Sequence, residues 1–241
     1  MGRKSKVKGE GLFNPKNEIG EEGFSKHYWN VNYEESEDMD GIGNAEEHCQ
    51  YLKGLLNLEG VSVDSLIDFG FGLGHLFEEM IATFRPRFIM GIEPSDYPFN
   101  LVKRRGLWKP AYPHRGNIMK MGLLKWTKDQ SYKKILGDEK AFDLGLCTSV
   151  LQYLPDDDID RILPVMAKRV KFLYLTVPTD KELKKQVEDL DFKDEYAIRR
   201  GRSRYFQLIR KHFTFLGGRL LESKRHFNES NTLFSDLLFR F

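Results

Sequence analysis

Three glycines at every second position, Gly70, Gly72 and Gly74, interrupt an apolar run and restrict what the chain can fold into. Upstream, Val61, Val63, Leu66 and Ile67 read as a strand. Downstream, Leu73, Leu76, Phe77, Met80, Ile81 and Phe84 recur at helical spacing. The pattern is strand, tight turn, helix. Glycine is needed in such a turn because it adopts left-handed backbone angles freely and lets a ligand approach the main chain. The helix that follows presents unpaired N–H groups to that ligand. A second buried run, Arg87 to Glu93, ends in a carboxylate. In nucleotide-binding α/β folds an acid at that strand end accepts both ribose hydroxyls.

Spacing narrows the ligand. The dinucleotide fingerprint G-x-G-x-x-G requires a third glycine where this chain has His75. The spacing here is G-x-G-x-G, preceded by Asp68 at the strand end. A carboxylate there repels a pyrophosphate and suits a ligand that carries an ammonium group. The stretch Leu66-Ile67-Asp68-Phe69-Gly70-Phe71-Gly72-Leu73-Gly74 resembles the first motif of the class I S-adenosylmethionine-dependent methyltransferases. Ala141 to Pro155, in which Phe142-Asp143 opens a buried strand and Val150-Leu151-Gln152-Tyr153-Leu154 follows, resembles the family's fourth motif. Gln152 and Tyr153 stand where relatives often carry Glu and His, so a histidine base at that point is unsupported.

The resemblance covers residues 60 to 178 by motif and reaches 241 by element order. It implies a Rossmann-like, doubly wound α/β fold: seven strands in the order 3-2-1-4-5-7-6, mostly parallel, with an antiparallel C-terminal strand. It also implies S-adenosylmethionine as cofactor, with S-adenosylhomocysteine as product. Asp68, Phe69, Gly70, Phe71, Gly72 and Gly74 would hold the methionine end, and Glu93 with Pro94 the ribose. Asn117 and Ile118, at the end of a third strand read over Ala111 to Ile118, would take the adenine. Cys147, Thr148 and Ser149 would face the sulfonium.

Length and charge bound the alternatives. The 241 residues suffice for one sizeable domain, and 38 basic against 36 acidic residues leave no global nucleic-acid signature. Cys49 and Cys147 lack metal-ligand spacing, which fits a reducing, cytoplasmic setting and no structural metal. No apolar stretch has the length of a membrane span or a signal-peptide core. Met1-Gly2 resembles the start of a myristoylation signal, but Lys6 replaces the required hydroxyl residue.

Along the chain, residues 1–23 read as a mobile basic tail, and residues 24–59 as an aromatic segment and a helix covering the site. The resemblance implies that residues 60–241 form the methyltransferase domain, within which 180–212 is a candidate substrate-recognition insertion. Phe24 to Tyr33 carries large aromatics that either staple the N-terminus or line a pocket. His48 lies on the apolar stripe of a helix from Asn44, which favours packing over catalysis. Asp156, Asp157, Asp158 and Asp160 fail the calcium-loop template and read as helix-capping acids. Arg199 to Lys211 is the dense basic cluster, either a binding patch for an anionic partner such as RNA or a balanced helix face. Residues 217 to 241 read as two strands joined at Asn228 to Asn231, too close to be parallel.

The reading is therefore methyl transfer to a small-molecule acceptor, with protein or RNA left open by the basic cluster. Tyr153, Tyr28 and His48 are the candidates for a base. A silent cofactor-binding regulator and a nicotinamide-dependent oxidoreductase are the rivals.

Overall fold

The computed structural model describes residues 23–33, 41–137, 141–190 and 194–234. Among these, seven strands form one sheet: β1 (Ser65–Phe69), β2 (Phe88–Glu93), β3 (Arg115–Lys120), β4 (Phe142–Thr148), β5 (Val170–Thr176), β6 (Phe213–Gly217) and β7 (Leu220–Ser223). Their order is β3-β2-β1-β4-β5-β7-β6. β3, β2, β1, β4 and β5 pair in parallel, and β7 runs antiparallel to both β5 and β6. The fold is thus Rossmann-like α/β, in the expected order.

Parallel strands are covered on both faces, which is why the central ones read as continuous apolar runs. Every residue of β1 is buried. Leu66 packs into the cluster on one side of the sheet with Leu52 and Leu56 of α2 (Ala45–Leu58) and Phe77 and Met80 of α3 (His75–Phe84). Ile67 points the other way, toward Ile162, Leu163 and Met166 of α7 (Asp156–Arg169), Trp126 of α5 (Leu123–Lys128) and Leu208 of α9 (Arg202–Ile209). The remaining helices are α1 (Lys26–Tyr33), α4 (Asp96–Arg105), α6 (Tyr132–Leu136) and α8 (Asp180–Leu190). No described helix is long and apolar enough to cross a membrane. The strand order reverses between β1 and β4, and ligands of open α/β sheets bind at the strand carboxyl ends beside such a reversal.

Two boundaries differ from the sequence expectation. β3 begins at Arg115 and continues to Lys120, where Lys120 lies opposite Glu93 at the end of β2. Asn117 therefore sits mid-strand, opposite Met90. The C-terminal hairpin turns at Gly218-Arg219, since Gly217 pairs with Leu220 and Gly218 has φ +50°. A two-residue turn takes the backbone angles that glycine supplies. The polar stretch 228–231 is not the connection between β6 and β7. It lies in a return segment whose Phe227 stacks on Phe172 at 5.0 Å. Residues 235–241, assigned to a strand by sequence, and residues 1–22 of the proposed tail lie outside the described residues.

The acidic run sits in the first turn of α7, where acids favour the helix dipole. It has a second role. Asp156 accepts from Arg200 Nε at 2.6 Å and from Arg204, and Asp160 pairs with Lys211 at 2.8 Å. Three cations of the basic cluster are thus engaged by α7.

Candidate functional site

At the carboxyl end of β1 the backbone leaves the sheet through Gly70, Gly72 and Gly74, at φ +98°, +50° and +83°. Side chains rarely adopt such angles. Space is short as well. A Cβ on Gly70 would stand 2.7 Å from a Val150 methyl, and one on Gly72 would stand 3.2 Å from the Trp29 ring. The loop is anchored from β2: Glu93 Oε2 accepts the Gly72 N–H at 3.0 Å, and Oε1 accepts the Ser95 N–H at 2.8 Å. Each carboxylate oxygen retains a lone pair for a further donor. Burial raises the Glu93 pKa, partly offset by these hydrogen bonds.

Asp68, the next-to-last residue of β1, is 2% exposed, and its Oδ1 has no hydrogen-bond partner among the described residues. Burial, and next the charge of Glu93, hold its carboxyl well above the usual carboxylate range. An orphaned buried carboxyl oxygen is costly unless something cationic or donating meets it.

Both acids and all three glycines line a cavity of about 390 Å³. That volume lies in the range of sites for drug-sized ligands. β1 and β2 supply the floor. Thr148 and Ser149, at the end of β4, supply one wall, with Ser149 at φ +53°, an angle uncommon for a residue with a side chain. Met121, Gly122, Leu123 and Leu124, after β3, supply another. Phe24, Trp29 and Tyr33 close the site from the N-terminal segment, which is tied down by Phe24 N–H donating to Ser95 Oγ at 3.0 Å. The aromatic segment is therefore both packing and pocket lining.

Tyr153 lines the cavity from the short 3-10 turn Leu151–Tyr153. Its hydroxyl donates to Asp194 Oδ2 at 2.7 Å and lies 3.2 Å from the Tyr28 hydroxyl. Burial raises the pKa of Tyr28, Tyr153 and Asp194 alike.

Of the residues expected at the site, Asp68, Phe69, Gly70, Phe71, Gly72, Gly74, Glu93, Pro94, Thr148, Ser149 and Tyr153 line the cavity. Tyr28 stands immediately behind, stacked on Phe24 at 4.0 Å. Four further expected residues lie outside the cavity lining. Asn117 and Ile118 are displaced from the cavity because β3 ends at Lys120, and Ile118 packs into the α2–α3 core cluster. Cys147 is fully buried in the opposite cluster, where burial raises its thiol pKa. His48 packs against the sheet with the α2 stripe, its Nδ1 2.6 Å from Tyr174 Oη and 2.7 Å from an Arg219 nitrogen. Sequence reasoning missed Ser95, Met121 to Leu124, Asp194 and Tyr196. For Met121-Gly122-Leu123 the signal existed: an apolar-Gly-apolar run directly after a strand.

No protein-family model and no curated protein sequence matches the chain. Its architecture is that of S-adenosylmethionine-dependent methyltransferases of known structure. Magnesium protoporphyrin IX methyltransferase from Synechocystis PCC 6803, solved with S-adenosylhomocysteine bound, superimposes with a TM-score of 0.53 at 14% identity. That match covers 82% of this chain and 92% of the other. An S-adenosylmethionine-dependent methyltransferase from Clostridium acetobutylicum ATCC 824 gives 0.55 at 11% identity, covering 76% and 84%. The plantazolicin methyltransferase BpumL, in complex with S-adenosylhomocysteine, gives 0.50 at 14% identity, covering 76% and 65%. At these identities the likeness establishes the fold.

Proposed function

We propose that the chain is a methyltransferase that binds S-adenosylmethionine in the 390 Å³ cavity and transfers its methyl group to a small-molecule acceptor. The observation that carries this reading is the unpartnered Asp68 Oδ1 beside a positive-φ glycine loop held by Glu93. In this reading Asp68 receives the ammonium of the methionine end, and the Gly70–Gly74 backbone passes close to the ligand. The free lone pairs of Glu93 accept the ribose hydroxyls. Met121 to Leu123 take the place expected of Asn117 and Ile118 around the adenine, and Thr148 with Ser149 stand nearest the sulfonium.

When bound, S-adenosylmethionine supplies a methyl group already activated by its sulfonium. The chain's residues then have only to exclude water and hold the acceptor in line. Such positioning can be worth roughly 7 to 11 kcal/mol. No nucleophile of the protein is required. The segment between α8 and α9 supplies Tyr196 and Ile198 to the cavity wall, which supports residues 180–212 as the acceptor-recognition element.

The rival readings lose support on the same geometry. A pyrophosphate at the glycine loop would be set against the buried Asp68 carboxyl, which disfavours a nicotinamide dinucleotide, while Glu93 suits the ribose of either ligand. A polyanion partner on the basic cluster would compete with Asp156 and Asp160 for Arg200, Arg204 and Lys211. Calorimetric titration of the full chain with S-adenosylhomocysteine and with NADH tests the reading. Saturable binding of the first and none of the second is expected; the reverse pattern would overturn it.

A further inference from the structure

The cavity has a second chemical character, away from the glycine loop. Phe24 and Tyr153 meet edge-to-face at 4.7 Å, Phe24 and Tyr196 at 5.5 Å, and Tyr28 and Tyr196 at 5.7 Å. Beside these rings the Tyr28 hydroxyl lies 3.2 Å from that of Tyr153, which in turn donates to Asp194, and Tyr33 takes part in the same cluster. The ring faces, phenol oxygens and carboxylate all present negative potential.

The charged side chains that line the rest of the cavity have the same sign, and Arg105, outside the lining, is paired with Glu78. Among the described residues that line it, the carboxylates are Asp68, Glu93 and Asp158, and there is no lysine or arginine. Burial, and next the charge of Arg105, lower the pKa of His75, the histidine of the lining, and keep it neutral. Among the described lining residues a carboxylate or phosphate acceptor would find no counter-charge. An ammonium would be attracted by the ring faces and the carboxylate together.

Resting on the methyltransferase reading, we propose that the aromatic chamber of Phe24, Tyr28, Tyr33, Tyr153 and Tyr196, backed by Asp194, is a subsite for the ammonium group of an organic amine, and that this amine is the methyl acceptor. An ammonium nitrogen has no lone pair until it sheds a proton. The Tyr153–Asp194 hydrogen bond provides the path: the ammonium gives its proton to Tyr153 Oη as the Tyr153 hydroxyl proton passes to Asp194 Oδ2. The amine is left neutral with a free pair, Tyr153 is again a phenol, and Asp194 holds the proton. The burial that raises the Asp194 pKa suits it to that task. Asp194 acts through Tyr153 and is a positioning and proton-holding residue in this scheme.

The test uses three probes of one shape and different charge: phenethylamine, 2-phenylethanol and phenylacetate. Each is titrated calorimetrically into the full chain saturated with S-adenosylhomocysteine. The amine is expected to bind about tenfold more tightly than the alcohol, a gap of the size that a desolvated cation–π contact supplies. Phenylacetate is expected to bind most weakly. In Asp194→Asn the gap between amine and alcohol should narrow to about threefold or less, with S-adenosylhomocysteine affinity unchanged. Tyr153→Phe gives the same readout should Asp194→Asn fail to fold. Equal or weaker binding of the amine, no binding of it at all, or its competition with S-adenosylhomocysteine for one site would overturn the proposal. Failure of S-adenosylhomocysteine itself to bind would instead overturn the underlying methyltransferase reading.

Discussion

The two ends of the cavity are built in opposite ways. The end around Asp68, the glycine loop and Glu93 comes from one continuous stretch, β1 to the start of α4. Its key contacts are between backbone N–H groups and one carboxylate, Gly72 and Ser95 to Glu93. The end around Tyr153 is joined chiefly by side chains and brings together three distant segments. Tyr28 and Tyr153 are 125 residues apart, and Tyr153 and Asp194 are 41 apart. A backbone-built site tolerates little change in its spacing and writes itself into the sequence as glycines at fixed positions. A side-chain site can be assembled from many sequences and leaves no local signature.

The comparison can be broken first at the backbone end. Gly72→Asp places a third carboxyl beside Asp68 and Glu93 and a Cβ 3.2 Å from the Trp29 ring. The angle φ +50° is one that Asp tolerates, so the fold should survive. The added side chain would fill the space in which the ligand approaches the backbone and repel the carboxylate of its methionine end, so S-adenosylhomocysteine affinity should fall roughly a hundredfold or more by calorimetry, with an unchanged circular dichroism spectrum. Unaltered affinity would mean that the turn does not meet the ligand.

Asp68→Asn should separate stability from binding. The Asp68 carboxyl is raised in the folded state, so the folded chain holds a proton that the unfolded chain has released over the pH range between the two values. Stability contributed by this group is therefore lost as pH rises through that range. The neutral amide should raise the melting temperature at neutral pH, with the gain vanishing in acid. A charge-assisted hydrogen bond is worth about 1.5 to 3 kcal/mol, so S-adenosylhomocysteine affinity should fall by roughly ten- to a hundredfold. A variant that is less stable and binds as well as the parent would contradict both roles.

The same two acids set a pH dependence. Protonated Asp68 and Glu93 cannot pair with an ammonium or accept at full strength from ribose hydroxyls. Affinity for S-adenosylhomocysteine should rise with pH from the ordinary carboxylate range upward and then level off, with proton release detected by comparing buffers of different ionisation enthalpy. Affinity that falls with rising pH in that range would place the ligand's positive charge elsewhere.

The side-chain end should yield smaller effects on the cofactor and larger ones on the fold. Arg200 is buried, donates to Asp156 at 2.6 Å and to the carbonyls of Leu151 and Leu154, and so fixes the turn that carries Tyr153. Truncating one member of a buried ion pair costs about 3 kcal/mol. Arg200→Ala should lower stability by about that much in urea unfolding. The exposed pair Lys211–Asp160 should lose less than about 1 kcal/mol in Lys211→Ala. Equal effects in the two variants would show that Arg200 is not what holds the turn.

This contrast also explains what could be read from sequence. The glycine turn, Asp68, Glu93 and the antiparallel ending follow from apolar runs, glycine spacing and a hairpin too short for a crossover, whereas the strand order follows only from the family resemblance. The end of β3 was misplaced by a few residues because Tyr112-Pro113-His114 offers no strand period, while the strand ends in Met119-Lys120. The hairpin turn was misplaced because Asn228 to Asn231 is the more polar stretch, although Gly218 provides the positive φ of the two-residue turn. Asp194 was unreadable. Its neighbours 194–201 carry no period, and its importance comes from a tyrosine on another element.

The most direct measurement of the central claim is a crystal structure of the chain with S-adenosylhomocysteine. The account predicts the ligand's amino nitrogen within hydrogen-bond distance of Asp68 Oδ1 and its ribose hydroxyls on Glu93. A ligand bound elsewhere, or Asp68 still unpartnered beside it, would contradict the account.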